Sequence, residues 1–332
     1  MLLSVVVPVF NEEAVLPAFM GRLQDVLRDL NWELIFVDDG STDRSALTIH
    51  GFGQSNDRVK LLRLSRNFGH QVAVTAGLDF AQGDAVVVMD ADLQDPPELI
   101  PAMLRLLDQG FDVVSPQRFT REGESAFKIW SARLFYHLMG KLSGGHLSAE
   151  VGDFRLFSRK AVLALRAMRE QHRFMRGMVG WLGLPETLLP FERQPRVAGE
   201  TKYPLLKMLR FAWTAVSSFS AVPLRLSLGV GVLLSCAGFL YLLKVIYMAL
   251  WGVQMVPGWA TVVVFQCIFS GMILIALGAI GDYVARTYEE TKGRPLYVVG
   301  STFNLCVPQE GIQRAVLPDA GPGPIYVARK TA

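Results

Sequence analysis

Two long apolar segments near the end of the chain limit the folds that are open to it. Residues 226–250 are apolar apart from Lys244, and residues 259–280 contain no charged residue. At about 1.5 Å of helical rise per residue, each segment can cross a hydrocarbon core of about 30 Å. The sequence therefore predicts two transmembrane helices, at about 226–250 and 259–281, and a separate part of the chain outside the membrane.

Basic residues flank the two apolar segments on one side only. The connecting residues 251–258 carry no charge. The flanking basic residues are Lys202, Lys207, Arg210, Arg225, Arg286, Lys292 and Arg294. Because loops rich in lysine and arginine stay in the cytoplasm, both termini are predicted to be cytosolic. The sequence is typical of a multi-pass protein of the cytoplasmic (inner) membrane.

Two basic amphipathic stretches lie outside the apolar segments. Residues 202–225 lead directly into the first span, which favours a helix at the membrane interface. Residues 120–148 have similar spacing and form either a helix that covers a sheet or one that touches membrane or lipid. The predicted domains are a cytosolic domain at 1–201, an interfacial segment at 202–225, a membrane part at 226–281, and a cytosolic strand and flexible tail at 282–332.

The first half of the chain alternates short apolar runs with amphipathic stretches. Strands are predicted over 3–7, 33–37, 59–64, 85–89 and 112–115, with one more over 295–299; helices are predicted over 13–30, 70–81 and 97–107. This alternation is typical of a mainly parallel sheet with helices on its faces. Ligands of such sheets bind beyond the carboxyl ends of the strands. Polar turns at 8–12, 38–41 and 90–95 fall at those ends, so we expect the functional site there.

The turn after the fourth predicted strand contains closely spaced carboxylates. Asp90 and Asp92 are separated by one residue, so in an extended segment their side chains point the same way. Oxygen ligands of this kind suit Mg²⁺ or Mn²⁺, which also bind substrate phosphates. A solvated turn is the alternative. We expect Asp95 to cap the helix that follows. In the turn at 38–41 after the second strand, a carboxylate can accept hydrogen bonds from a base or a ribose hydroxyl. The alternative for this turn, which is compatible with the first, is that Ser41 caps a helix.

The chain contains seven groups of residues in a specific order and spacing: Val7–Glu13, Asp38–Asp43, Arg66–Gly69, Gly83–Glu98, Gly152–Leu156, Arg173–Gly177 and Arg196–Tyr203. Together these groups resemble family 2 glycosyltransferases of the polyprenyl-phosphate type. These enzymes include the bacterial bactoprenol glucosyltransferases and the dolichol-phosphate mannosyltransferases. The resemblance covers nearly all of residues 1–300.

The resemblance implies a fold and a set of site residues. The fold is α/β, a GT-A-type, Rossmann-like mixed or parallel sheet with helices, interfacial amphipathic helices and a C-terminal two-helix transmembrane hairpin. By position in the motifs, the implied residues are Asp90, Asp92 and Gln94 for the metal (Mg²⁺ or Mn²⁺) and the donor diphosphate; Pro8, Glu12 and Asp38 for the rest of the donor; Asp92, Asp153, Arg196 and Lys202 for catalysis; and Arg118 and Arg133 for the acceptor phosphate.

The implied reaction is an inverting transfer of a sugar, with UDP-glucose favoured as donor, to a polyprenyl phosphate such as undecaprenyl phosphate. The same family also uses GDP-mannose or UDP-linked GlcNAc, galactose or modified arabinose. A processive polysaccharide synthase is disfavoured, because its Gln-x-x-Arg-Trp element and further spans are not found. A non-catalytic, membrane-anchored protein that binds sugar nucleotides or recruits a flippase is the alternative of another class. Candidate partners are a flippase, a downstream glycosyltransferase and a second copy of the chain.

Elementary chemistry weakens the implied role of Asp153 as a base, and the charge of the chain argues against nucleic acid as a partner. An acceptor phosphate with a second pKa of about 6 is already largely ionised near neutral pH, so Asp153 is a weak candidate for a catalytic base. Two other roles are open for Asp153: it positions Arg155 or the sugar, or it forms a buried ion pair with Arg155 or another neighbour. The formal net charge is only +3 and no basic stripe with interleaved aromatic residues is present, which argues against nucleic-acid binding.

Overall fold

A computed structural model describes residues 1–118, 151–191, 222–251 and 258–305. These residues form two compact units. The first contains residues 1–118, 151–191 and 295–305, and the second contains residues 222–251 and 258–294. The predicted interfacial stretches at 120–148 and 202–221 lie outside the described residues.

A mixed sheet forms the centre of the first unit. In chain order its strands are β1 (Leu3–Val9), β2 (Trp32–Asp38), β3 (Val59–Leu64), β4 (Ala85–Val88), β5 (Val113–Arg118), β6 (Arg155–Ser158), β7 (Glu186–Phe191) and β8 (Val299–Phe303). They lie side by side in the order β7-β5-β6-β4-β1-β2-β3-β8. The neighbours β3, β2, β1 and β4 are parallel, whereas β6 and β8 run antiparallel to the strands beside them.

Within the described ranges, six helices accompany the sheet, and two more form the second unit. They are α1 (Leu16–Leu27), α2 (Ser45–Ser55), α3 (His70–Phe80), α4 (Ile100–Asp108, after a 3-10 turn at Pro97–Leu99), α5 (Arg159–Ala167), α6 (Met175–Leu182), α7 (Val222–Leu250) and α8 (Trp259–Thr291).

Burial explains why the central strands are so apolar. Every residue of β1 and β2 is buried, as expected for parallel strands that are covered on both faces. Helix α3 packs closely on this sheet at Gly77, where an added Cβ would lie 2.2 Å from Cγ1 of Val6. The absence of a side chain at this position lets α3 approach β1, which brings the N-terminal end of the helix to the edge of the sheet discussed below.

The predicted α/β architecture is confirmed, and its errors are local. The last strand is wrong by four residues: it lies at 299–303 and not at 295–299, because Leu64 of β3 pairs with Val299 and residues before it run beyond the end of β3. Elements β6, α5, α6 and β7 were not among the predicted ones, and α2 was predicted without bounds, as the helix that Ser41 would cap. Short elements such as the four-residue β6 have too little periodicity to be recognised.

The second unit consists of α7 and α8, whose side chains meet at Tyr241 and Phe265. Within the part of the chain that the structure describes, one segment, Ile268–Thr291, is long and apolar enough to cross a membrane. Residues Gly229–Tyr241 of α7 form a shorter apolar segment. The structure therefore shows one membrane-length helix, and the second span stays a prediction.

Candidate active site

A cleft of about 330 Å³ opens at the carboxyl ends of the parallel strands. It lies where β1, β2 and β4 end, which is the edge at which such sheets bind ligands. Its walls are formed by Pro8, Val9, Phe10, Glu12, Asp39, Asn67, Gly69, His70, Ala73, Asp90, Ala91 and Asp92. Four carboxylates from three separate parts of the sequence therefore line the cleft together with apolar groups and an imidazole.

The acidic part of the cleft consists of Glu12, Asp90 and Asp92. Burial raises the pKa of the Glu12 carboxyl, and the charges of Asp92 and Asp90 raise it further. A cation bound between these groups would relieve that repulsion. Among the described residues no three His, Cys, Asp or Glu side chains are grouped as a complete metal-binding set. Two carboxylates still fit Mg²⁺ or Mn²⁺, because these ions take their remaining oxygen ligands from water and substrate phosphates.

The loop that carries Asp90 and Asp92 has an unusual backbone. Leu93 adopts a φ of 61°, a left-handed conformation that non-glycine residues rarely occupy. On either side of it, Oδ1 of Asp92 accepts a hydrogen bond from the Gln94 amide (3.0 Å), and Oδ2 of Asp95 accepts one from the Asp90 amide (3.2 Å). The expected cap role of Asp95 is wrong: Pro96 is the N-cap of the following turn and no side chain caps it.

The second acidic turn presents Asp39, and not Asp38, to the cleft. Asp38 is fully buried; its Oδ1 accepts from the Ser41 amide (2.9 Å), and Nε of Arg63 lies 3.1 Å from its Oδ2. Asp39 lines the cleft, and its two carboxylate oxygens accept hydrogen bonds from the amides of Phe68 (2.7 Å) and Gly69 (2.9 Å). Burial raises the pKa of both carboxyls.

Asn11 and Ser41 join the turns after β1 and β2. The Asn11 amide donates to Oγ of Ser41 (3.0 Å), and Oδ1 of Asn11 accepts from the Thr42 amide (2.8 Å). The alternative in which Ser41 caps a helix is wrong, because α2 begins at Ser45 and its N-cap residue is Arg44. These bonds fix the two turns against one another beside Glu12.

Asp153 is held by three side chains beside the cleft. Nε2 of His70 lies 3.3 Å from its Oδ2, Nε2 of Gln71 donates to the same oxygen (3.1 Å), and Nε of Arg176 donates to Oδ1 (3.1 Å). Burial alone would raise the pKa of Asp153, but His70 and Arg176 outweigh it and hold the pKa well below its usual range. Arg155 does not take this role, since its Nε donates to the carbonyl of Gly152 (3.3 Å).

His70 connects this cluster to the acidic wall. Its Nε2 lies 3.7 Å from Oδ1 of Asp90 as well as 3.3 Å from Asp153. Burial lowers the pKa of the imidazole, yet the hydrogen bond with Asp153 and the charges of Asp90 and Asp153 leave it raised overall. A protonated His70 would thus carry positive charge between two carboxylates.

The structure gathers only part of the predicted site. Pro8, Glu12, Asp90 and Asp92 line the cleft, whereas Asp38 and Gln94 do not. Gln94 is buried, and its Oε1 has no hydrogen-bond partner. Arg133, Arg196 and Lys202 lie outside the described residues; the backbone of Arg118 ends β5, but its side chain is not described.

Sequence reasoning missed the roles of four residues around the cleft: Asp39, His70, Gln71 and Arg176. Asp39 and Arg176 lie inside the matching groups Asp38–Asp43 and Arg173–Gly177, so the sequence contained a signal for both residues. His70 and Gln71 follow Arg66–Gly69 directly and occupy the first turn of α3. A polar pair at the start of a helix that follows a parallel strand was the available signal, because that position faces the carboxyl edge of the sheet.

The fold and the cleft together are typical of an α/β enzyme domain that binds its ligand at the carboxyl edge of the sheet. Comparison with known proteins gives its family. Residues 4–166 match the model described as Glycosyl transferase family 2. The chain is 44% identical over 304 residues to "Uncharacterized glycosyltransferase YkcC" of Bacillus subtilis (strain 168), covering 91% of this chain and 94% of the relative. The chain belongs to glycosyltransferase family 2, and its α/β sheet is of the GT-A type.

Two further proteins are similar to this chain. The "Prophage bactoprenol glucosyl transferase homolog" of Escherichia coli (strain K12) is 36% identical over 301 residues, with 90% of this chain and 98% of the relative covered. A solved structure of glucosyl-3-phosphoglycerate synthase from Mycobacterium tuberculosis, in complex with Mn²⁺, UDP and phosphoglyceric acid, matches with a TM-score of 0.49 and 18% identity; 65% of this chain and 76% of that chain are covered.

Proposed function

We propose that this enzyme transfers a sugar, with UDP-glucose as the preferred donor, to a polyprenyl phosphate such as undecaprenyl phosphate, with inversion at the sugar. The observation that carries the proposal is the acidic wall of Glu12, Asp90 and Asp92 at the carboxyl edge of a GT-A-type sheet. A membrane-length helix in the same chain and the bactoprenol glucosyl transferases among its relatives support a lipid acceptor. The product would serve modification of a cell-envelope glycan or lipopolysaccharide.

The reaction is a single displacement. An oxygen of the acceptor phosphate attacks the anomeric carbon and forms the new C–O bond. The bond from that carbon to the donor's β-phosphate oxygen breaks, and its electron pair leaves with the nucleoside diphosphate. With the acceptor as a dianion, no proton has to move. The chain therefore needs groups that orient both phosphates and stabilise negative charge on the leaving group.

Asp90 and Asp92 would hold Mg²⁺ or Mn²⁺, and we propose Gln94 as a further ligand because its buried Oε1 lacks a hydrogen-bond partner. The bound ion would supply charge neutralisation of the departing diphosphate. Arg196 and Lys202 are proposed to contact the same phosphates. Pro8 and Glu12 are proposed to contact the donor; for the nucleoside we favour Asp39 over Asp38, because Asp39 lines the cleft.

Asp153 is proposed to position its neighbours and not to accept a proton. Its pKa is held below the ordinary range of a carboxyl, and a weaker base removes protons less effectively. Through Oδ1 it orients the guanidinium of Arg176, and through Oδ2 it fixes His70 and Gln71. Arg118 and Arg133 remain the proposed contacts of the acceptor phosphate.

The membrane part is proposed to hold the catalytic unit at the surface where the lipid phosphate lies. We propose two spans, with both termini and the catalytic unit on the cytosolic side of the inner membrane. Tethering raises the effective concentration of enzyme at its acceptor. A flippase, a downstream glycosyltransferase and a second copy of the chain are the proposed partners.

Radiolabel transfer tests the proposal. The full chain in detergent is incubated with Mg²⁺, undecaprenyl phosphate and one labelled donor at a time: UDP-glucose, UDP-GlcNAc, UDP-galactose, a UDP-linked modified arabinose or GDP-mannose. Label from UDP-glucose should enter the organic phase fastest. Faster transfer from another donor would show that UDP-glucose is not the preferred donor, but the proposed reaction class would stand. No transfer from any donor would overturn the enzymatic proposal and favour a binding or recruiting protein.

A further inference from the structure

The chain segment that follows α8 returns to the first unit and enters it with a buried tyrosine. Tyr297 lies six residues after Thr291, the last residue of α8, and is 0% exposed. Just beyond it, the Ser65 amide donates to the carbonyl of Val298 (2.9 Å), and β8 then pairs with β3. The segment is thus fixed to the sheet immediately after Tyr297.

Tyr297 binds the last turn of α3. Its hydroxyl donates to Oδ2 of Asp79 (2.8 Å), and Arg169 donates to both oxygens of the same carboxylate (2.9 and 2.8 Å). Burial raises the pKa of the Tyr297 phenol, and the charge of Asp79 raises it further, so the hydroxyl remains a donor. Asp79 is itself 3% exposed, which makes the hydrogen bond stronger than it would be in water.

Residues 168–175 form a connection that runs from this buried carboxylate to the active site. At its beginning Arg169 binds Asp79 in the last turn of α3. At its end the Met175 amide donates to Oε1 of Gln71 (3.0 Å) in the first turn of the same helix. The next residue is Arg176, which binds Asp153. The connection and α3 are therefore tied together at both ends, about 12 Å apart along the helix axis.

We infer that Tyr297 is a positioning residue for the Asp153 cluster. By binding Asp79, its hydroxyl holds the Arg169 end of the connection, so the backbone at Met175 and the guanidinium of Arg176 keep the placement that Asp153 and Gln71 require. The inference rests on the proposed transfer reaction for its kinetic consequence. It assigns a functional task to the segment that returns from the membrane helix.

Tyr297→Phe in the full chain tests the inference, with Asn304→Gly as the matched control. The phenyl ring keeps the packing, and Asp79 keeps Arg169, so the variant should fold. Asn304 anchors the same returning segment through Nδ2, which donates to the carbonyls of Gly53 (2.9 Å) and Val59 (3.1 Å), but it does not touch Asp79. Glycine suits the left-handed backbone at this position, where φ is 55°.

Two measurements are made on each variant in detergent or lipid nanodiscs. Hydrogen exchange of peptides covering residues 170–177 should accelerate about tenfold in Tyr297→Phe, as expected for the loss of one hydrogen bond to a charged group. In the transfer assay kcat should fall about tenfold. The Kd for UDP should change less than about twofold, because UDP is proposed to bind beside Asp39, away from residues 168–175. Asn304→Gly should leave both quantities within about twofold of the wild type, because it does not disturb Asp79.

Two results would overturn the inference: unchanged exchange at 170–177 in Tyr297→Phe, or equal effects of Tyr297→Phe and Asn304→Gly on both exchange and kcat. The second result would mean that any loosening of the returning segment suffices. If the wild type transfers no sugar, the proposed function fails, and the exchange measurement still decides whether Tyr297 fixes the connection.

Discussion

Asp153→Asn separates a positioning role of this carboxylate from a role as catalytic base. The substitution keeps the shape of the side chain and removes its charge. Gln71 can still donate to the amide oxygen, but His70 and Arg176 lose their counter-charge. Hydrogen bonds to charged groups contribute about 1.5–3 kcal/mol each. The side chains of His70 and Arg176 are 40% and 30% exposed, so solvent screens their interactions with Asp153. The interaction free energy that Asp153→Asn removes should therefore be about 1–2 kcal/mol in total.

The kinetic consequence depends on the acceptor's own ionisation. With a second phosphate pKa of about 6, roughly 99% of the acceptor is dianionic at pH 8 and roughly 90% is monoanionic at pH 5. A base could help only with the monoanion. If Asp153 positions Arg176 and His70, the ratio of wild-type to Asp153→Asn kcat should stay near one value of about 10–100 across this range.

The assay is sugar transfer by both proteins from pH 5 to pH 8 at saturating donor and metal. A constant ratio would agree with positioning. A ratio that is large at pH 5 and approaches one at pH 8 would refute it, because that pattern requires Asp153 to take a proton from the monoanion. The His70→Gln variant serves as a control for titration of the imidazole.

Three further predictions follow from the same structure. Asp92→Ala should lower transfer by at least about 10³-fold without changing the thermal midpoint, and activity retained at saturating metal would contradict its role. Glu33→Gln should lower stability at pH 7 by about 2–4 kcal/mol because it breaks a buried pair with Lys60. Burial raises the pKa of Glu33, but bonds from Lys60, Ser4 and Gln82 leave it lowered overall; its stabilisation is therefore present above the unfolded pKa of about 4.3 and is lost as pH falls. The free energy of unfolding of Glu33→Gln should therefore fall less steeply with decreasing pH than that of the wild type. Gly77→Ala should destabilise by about 1–3 kcal/mol, since its Cβ would meet Val6, and adding Val6→Ala should recover part of the loss.

The central strands could be predicted because burial on both faces leaves a simple trace. Strands β1 and β2 are mainly apolar in the sequence, interrupted by Ser4 and Glu33, and the polar residues that follow them mark the edge with the cleft. The acidic wall was predictable for the same reason, since Asp90 and Asp92 directly follow a buried strand. These features depend on residues close together in the chain.

The remaining parts of the site depend on choices that local sequence does not determine. Asp38 and Asp39 are chemically identical neighbours, but successive side chains point to opposite sides of a strand, so one residue decides which lines the cleft. The Asp153 cluster joins residues 82 and 23 positions apart through hydrogen bonds. The register of β8 depends on its pairing with β3, which includes an irregularity between Arg63 and Leu64. Only the folded chain brings these groups together.

The mass of the lipid product tests the central claim most directly. The purified full chain is incubated with UDP-glucose, undecaprenyl phosphate and Mg²⁺, and the lipid extract is measured by mass spectrometry. We expect the polyprenyl phosphate to gain the mass of one hexose residue while one equivalent of UDP is released, and Asp92→Ala to give neither product. Release of UDP with free glucose and unchanged lipid would contradict the claim.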